Sequence, residues 1–272
     1  HHQRPSLSPG GRLETARNRR SHFARRRQSA GTGQRRLTQD VRQSRKQHVV
    51  EVFMTKSDKF WDKTAERYAK SPISDEETYQ KKLAETQSFF GPGMRIAEFG
   101  CGTGTTAIQH APHVQHIDAI DVSENMLEIG RGKARAAGVD NITFTLGTLI
   151  EFNAEDASMD AVLGLNVIHL LPDRQAVFAE VARILKPGGV FVSSTACLGH
   201  SFLRFIKLVA PLGKMMGLMP DVYIMTEAEL ANEVTRAGFK IERQWHHGKG
   251  GIAVFMIARK ESPEPDAEES QN

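Results

Sequence analysis

Three glycines at alternate positions, Gly100, Gly102 and Gly104, follow an apolar run that ends in an acid, Ile96-Ala97-Glu98-Phe99. Glycine tolerates positive φ and lets a ligand come close to the backbone, and the residues after the loop, Thr105 to His110, can open a helix whose free N–H groups face the same point. The arrangement reads as a strand turning into a nucleoside pocket that needs no phosphate. Alone, the glycine spacing has limited specificity, but a second acid strengthens it. Asp121 ends the next apolar strand, Ile117-Asp118-Ala119-Ile120, about twenty residues on, where an acid takes ribose hydroxyls in a doubly wound sheet. Two strand ends then point at one ligand. The dinucleotide-binding pattern would put the third glycine one position later and add a second mononucleotide-binding half, and the chain shows neither.

Regular elements must bring these strand ends together. Gly91-Pro92-Gly93 turns the chain into the first strand, and Pro112 ends the first crossover helix. Strand 116 to 120, helix 123 to 137, strand 141 to 146, strand 159 to 165, helix 173 to 185 and strand 189 to 195 follow, an α/β series with parallel pairing. Near the end, Phe239 to Trp245 and Gly251 to Ala258 can pair antiparallel around residues 246 to 250. Upstream, residues 58 to 70 read as a helix capped by Ser57 with a stripe through Trp61, Ala65 and Tyr68, and a second helix covers about 75 to 90.

The 272 residues, 39% of them apolar, suit one large α/β domain. Two cysteines, Cys101 and Cys197, make neither a disulfide framework nor a zinc pattern, so a reducing cytoplasmic setting and no metal are expected. No apolar run is long enough to span a bilayer. The net charge of +4 is unevenly spread: residues 1 to 53 hold 13 Lys and Arg against 3 Asp and Glu, while the remainder is net acidic. This extension lacks apolar periodicity and is expected to be disordered, as is the Pro- and Glu-rich tail 261 to 272. The chain opens on His1-His2, and Met54 stands just before the first patterned helix, so the domain is expected to run from 54 to 260 with Met54 as its natural start. A transit peptide or a nucleic-acid-binding arm are the other readings of the extension.

Glu98-Phe99-Gly100-Cys101-Gly102-Thr103-Gly104, followed by Asp121-Val122-Ser123-Glu124-Asn125-Met126-Leu127, resembles the first two motifs of class I S-adenosylmethionine (SAM)-dependent methyltransferases. Lys186-Pro187-Gly188-Gly189 resembles the turn before that family's fifth strand. The likeness covers about residues 58 to 260. Within that group it resembles the ubiquinone/menaquinone C-methyltransferases and related phospholipid and natural-product enzymes. It implies a doubly wound, mainly parallel, Rossmann-like sheet of seven strands closed by an antiparallel hairpin, SAM as methyl donor and S-adenosylhomocysteine (SAH) as product. Glu98 would then attract the amino-acid ammonium, and Gly100, Cys101 and Gly102 would admit the methionine and ribose. Asp121 would accept from both ribose hydroxyls, with Val122 and Met126 flanking the adenine. Tyr68 would touch the methionine end, or else belong to the core. Asn166 would sit under the methionine part. Gly147-Thr148-Leu149 stands where many relatives carry Gly-Asp-Ala, so the adenine would meet the Thr148 hydroxyl and the Leu149 N–H instead of an acid.

His169, just after the fourth strand, is the general-base candidate, with a capping or packing role as the alternative; His200, His246 and His247 are weaker candidates. Acceptor selection is expected from a helical segment, 197 to 225. There Leu198, Phe202, Phe205, Ile206 and Val209 recur at helical spacing, Arg204, Lys207 and Lys214 lie opposite, and Met215-Met216-Gly217-Leu218-Met219 adds flexible apolar surface. Residues 197 to 219 could rest on an anionic membrane, or simply pack on the sheet. The favoured function is methyl transfer to a small lipophilic or aromatic acceptor, with no nucleic acid expected for 54 to 260. An RNA or DNA methyltransferase is the second reading, although no Asn-Pro-Pro-aromatic or Asp-Pro-Pro-aromatic element follows the fourth strand. A non-catalytic SAM-binding protein is the third.

Overall fold

The computed structural model describes residues 59–200 and 221–262. The readings made for the arginine-rich extension, the Ser57 cap, the body of the 197–225 segment and most of the tail lie outside the described residues. The elements are α1 over residues 59–70, α2 (Glu76–Gln87), β1 (Arg95–Phe99), α3 (Thr105–His110), β2 (His116–Asp121), α4 (Glu124–Ala136) and β3 (Ile142–Leu146). There follow α5 (Leu149–Phe152), β4 (Met159–Leu165), α6 (Arg174–Ile184), β5 (Leu185–Ala196), α7 (Glu227–Arg236), β6 (Phe239–His247) and β7 (Ala253–Lys260).

The seven strands form one sheet in the order β3-β2-β1-β4-β5-β7-β6. The first five are parallel, and β7 runs antiparallel to both of its neighbours. β1 and β4 are apolar on both faces because helices cover both. Side chains alternate across the sheet. Ala97, Phe99, Ile120, Val162 and Phe191 pack under α5, α6 and α7, while Ile96, Ile117, Ala119, Leu163 and Val192 pack under α3 and α4. The helices start where short polar side chains take up free N–H groups: Ser123 Oγ accepts from Met126 N at 3.1 Å, and Thr226 with Glu229 makes a reciprocal cap on α7.

Two details differ from the sequence reading. Lys186-Pro187-Gly188-Gly189 lies inside β5 rather than before it: Met159 pairs with Leu185 and Ala161 with Val190, so extra residues are absorbed as a bulge. The four-residue α5 was not expected, because one turn carries no periodicity; its trace in the sequence is the Thr148-x-x-Glu151 capping box.

Gly164 of β4 has a packing reason. A Cβ there would stand 2.4 Å from the Phe99 ring, which is fully walled in by the core. Gly164→Ala is therefore expected to cost about 1–3 kcal/mol through overpacking, read as a lower urea midpoint at unchanged m value.

Candidate active site

The site is built on the carboxyl ends of β1, β2 and β4, where the loops leave the sheet. The glycine loop after β1 is braced from three directions. Cys101 N donates to Ile120 O (3.1 Å) and Gly102 N to Asp121 Oδ2 (2.8 Å), which ties the loop to β2. Lys133 of α4 donates to the hydroxyls of Thr103 and Thr105 at 2.8 and 3.0 Å. Beneath the loop, Gly100 has φ +64°, and a Cβ there would sit 2.6 Å from a Val167 methyl, so any side chain is both strained and crowded.

Two acids meet at this loop. Asp121 is buried and takes Gly102 N–H on one oxygen and Ser123 N–H on the other (3.0 Å). Burial nonetheless raises its pKa above the ordinary carboxylate value, against the lowering effect of its backbone donors. Glu98 is 3% exposed, and its Oε2 has no hydrogen-bond partner. Burial, with the Asp121 charge adding, pushes Glu98 up to about 8. A buried carboxyl with an unused oxygen costs free energy unless a donor or cation arrives. A carboxyl in that state fits an ammonium group.

The N-terminal helices lie over the same point. Tyr68 is 51% exposed and so is not a core residue; its ring stands 3.7 Å from where a Gly102 Cβ would be. Burial of its phenol, then the charges of Asp121 and Glu98, raise its pKa. Trp61 packs edge-on against Tyr68 with ring centres 6.3 Å apart. α1 is latched by Asp62, whose carboxylate accepts from Ser123 Oγ (2.5 Å) and Asn125 N (3.2 Å). In α2, the Tyr79 hydroxyl lies 3.4 Å from Thr106 Oγ1. Neither Asp62 nor Tyr79 stood out in the sequence, since their partners are far along the chain.

At the β2 and β3 ends, Val122 is half-buried and Met126 is buried in the first turn of α4. Thr148 also caps a helix: its hydroxyl is the N-cap acceptor of α5, taking Glu151 N–H at 3.2 Å, while its own N–H donates to Glu151 Oε2 at 2.7 Å. The hydroxyl proton and a second lone pair are left for a ligand. Leu149 is buried at the first position of α5.

Beyond β4, Asn166 is exposed with φ +57°, and its N–H donates to Ser194 O at 2.6 Å. His169 lies in the single turn Ile168–Leu170; its Nδ1 is buried without a partner, and burial lowers its pKa. The ends of the 197–225 segment converge here. Gly199 N donates to Met225 O (2.9 Å) and Tyr223 N to His169 O (2.7 Å). Of the other histidines, His246 pairs with Glu227 at 2.7 Å and His247 with the Ser194 hydroxyl at 3.0 Å.

A family profile described as a methyltransferase domain matches residues 96–189, the stretch that carries the glycine loop, both acids and β4. The chain is 29% identical over 193 residues to a demethylmenaquinone methyltransferase of Listeria monocytogenes, covering 62% of this chain and 80% of that one. A demethylmenaquinone methyltransferase of Symbiobacterium thermophilum is 32% identical over 174 residues, covering 61% and 64%. These likenesses indicate a SAM-dependent methyltransferase, and the sheet has the class I fold. Solved structures share that fold: the YcgJ protein of Bacillus subtilis (TM-score 0.57, 18% identity, 68% of this chain and 100% of that one) is one. Another is geranyl diphosphate C-methyltransferase of Streptomyces coelicolor A3(2), bound to SAH (TM-score 0.56, 15% identity, 68% and 79%).

The ligand-free methyltransferase should carry the Glu98 strain as a pH signature. Between the ordinary glutamate value of 4.5 and about 8, folded Glu98 holds a proton that the unfolded chain has released. Stability therefore falls as pH rises through this window and levels off above it. Urea midpoints measured from pH 5 to 9 should show this fall in the wild type, and Glu98→Gln should remove that part of the slope.

Proposed function

We propose that this methyltransferase moves the methyl group of SAM by in-line displacement to a small lipophilic acceptor bearing an aromatic or quinone-type ring. The observation that supports the acceptor class is the likeness to demethylmenaquinone methyltransferases, whose name gives a quinone, demethylmenaquinone, as the molecule acted on. When bound, SAM supplies a methyl carbon on a positively charged sulfur. The chain's part is to hold that donor and to orient the acceptor, and positioning provides most of the rate.

Glu98 would receive the ammonium, and ionising there relieves an otherwise costly buried acid. An ionised carboxylate has about four lone-pair sites, so Asp121 can hold Gly102 and Ser123 and still accept from ribose hydroxyls. Gly100, Cys101 and Gly102 would admit the methionine and ribose, with Asn166 beneath and Tyr68 closing from α1. Val122 and Met126 would flank the adenine, with the Thr148 hydroxyl proton and the Leu149 N–H at its edge.

For an acceptor oxygen, His169 would take the proton. Its lowered pKa keeps it neutral and able to accept near pH 7, at some cost in driving force. The two cysteines are unpaired, which suits a cytoplasmic setting. No helix among the described residues is long and apolar enough to cross a membrane, and segment 197–219 would meet a lipophilic acceptor at the bilayer surface.

The full chain, incubated with methyl-labelled SAM and cell extract, should place label in the solvent-extractable fraction, and Asp121→Ala should abolish it. Label in nucleic acid instead would overturn the acceptor class. Calorimetry of SAM binding at pH 7 in buffers of different ionisation enthalpy should report release of roughly one proton, and none in Glu98→Gln. His169→Gln should lower kcat by about a hundredfold or more while leaving SAH binding intact; an unchanged kcat would return His169 to a packing role.

A further inference from the structure

The cations of α4 are not used alike. Arg131 lies 2.7 Å from Glu124 and 3.3 Å from Glu128, and Arg135 lies 3.6 Å from Glu128, so both are paired along their own helix. Lys133, between them, has no acid within ion-pair distance among the described residues and turns to the glycine loop instead. It donates to Thr103 Oγ1 at 2.8 Å and to Thr105 Oγ1 at 3.0 Å. Burial lowers its pKa. A half-buried ammonium that gives up water without gaining an anion costs free energy.

The structure around Lys133 does not need it. Thr103 Oγ1 and Thr105 Oγ1 stand 3.4 Å apart and can satisfy each other. The packing of α4 on the loop is made by other groups: a Cβ at Gly104 would be 2.7 Å from the Phe144 ring of β3, and one at Gly130 of α4 would be 2.8 Å from it. That ring therefore fills the space between loop and helix without help from the lysine.

What Lys133 adds lies on the loop. Gly100, Gly102 and Gly104 all have positive φ, and glycine loses more conformational freedom on ordering than any other residue. The first half of the loop is tied to β2 through Cys101 N and Gly102 N. In the second half, Gly104 N donates back to Cys101 O at 3.0 Å, and Lys133 fixes the side chains on either side of Gly104. Asp121 and Lys133 thus hold the two halves, one from β2 and one from α4.

We propose that Lys133 is a positioning residue for the methyl donor: acting through Thr103 and Thr105, it keeps the second half of the glycine loop in the form that receives SAM, at a cost to stability. A loop ordered beforehand spares the donor the entropy of ordering it on binding. The inference rests on the placement of the donor at this loop proposed above.

The test is calorimetric titration of the full chain with SAH, beside urea unfolding of each ligand-free variant. Lys133→Met is expected to weaken SAH binding about tenfold, the scale of one or two lost hydrogen bonds, while its urea midpoint stays at or above the wild-type value. A residue kept for stability alone would show the opposite pattern. Lys133→Arg retains N–H donors and is expected to stay within about threefold of the wild type. Thr103→Val combined with Thr105→Val should weaken binding by a factor similar to Lys133→Met, and adding Lys133→Met to that pair should change little more, since the three act as a unit. If Asp121→Ala loses SAH while Lys133→Met binds it as the wild type does, the Lys133 assignment falls and the donor placement stands. A lowered urea midpoint in Lys133→Met would also overturn it, as would an equal loss of binding in Lys133→Arg. If Asp121→Ala binds SAH unchanged, the donor placement falls and the assignment with it.

Discussion

The bridge that Asp121 makes between two backbone N–H groups holds this site together. One oxygen takes Gly102 and the other takes Ser123, so a single carboxylate fixes the glycine loop of β1 against the first turn of α4. Ser123 passes the connection on, since its hydroxyl both caps α4 and binds Asp62 of α1. The loop, the second strand end and the covering helix are therefore positioned by one short chain of hydrogen bonds. Because the groups are buried or nearly so, each bond is made at low local dielectric, where an unmade partner is costly.

Electrostatics set the character of the two acids. Glu98 and Asp121 are both removed from water and both shifted upward, mainly by burial, with the Asp121 charge adding at Glu98 and the Asp62 charge adding at Asp121. Asp121 is offset by its backbone donors; Glu98 has an oxygen with none. The protein thus stores an unfavourable term at the end of β1 that a cationic group can relieve, and pre-organisation of this kind is an established way to convert folding strain into ligand affinity. Tyr68 and Tyr79 bring aromatic surface to the same place without adding charge.

The other end of the site is arranged by β5. Its rim carries the Asn166 contact, the Ser194 hydroxyl and the point where the chain leaves for the 197–225 segment, whose ends are clipped to each other and to the His169 carbonyl. The antiparallel β7 and the returning β6 extend the sheet past β5 and bring two adjacent histidines to its edge on opposite faces. One, His246, is paired with Glu227 of α7. The other, His247, meets Ser194.

What the sequence determined was local. The alternate glycines were legible because positive φ at Gly100, Gly102 and Gly104 excludes most side chains, and the acids were legible because each sits at the end of an apolar strand. The strand and helix series followed from hydrophobic periodicity, and the family likeness supplied the count of seven strands and the closing antiparallel hairpin. Tertiary structure decided what depends on residues far apart in the chain. The Val167 methyl against Gly100, Asp62 on Ser123 and Asn125, and His247 on Ser194 bring together residues whose separation leaves no periodic trace. The cap role of Thr148 was hidden for the opposite reason: a four-residue helix is too short to show a period, so its hydroxyl looked free until the chain was folded. The core reading of Tyr68 failed because Ala65 is buried while Tyr68, one turn on, is exposed, and only the fold shows where along the helical stripe burial stops.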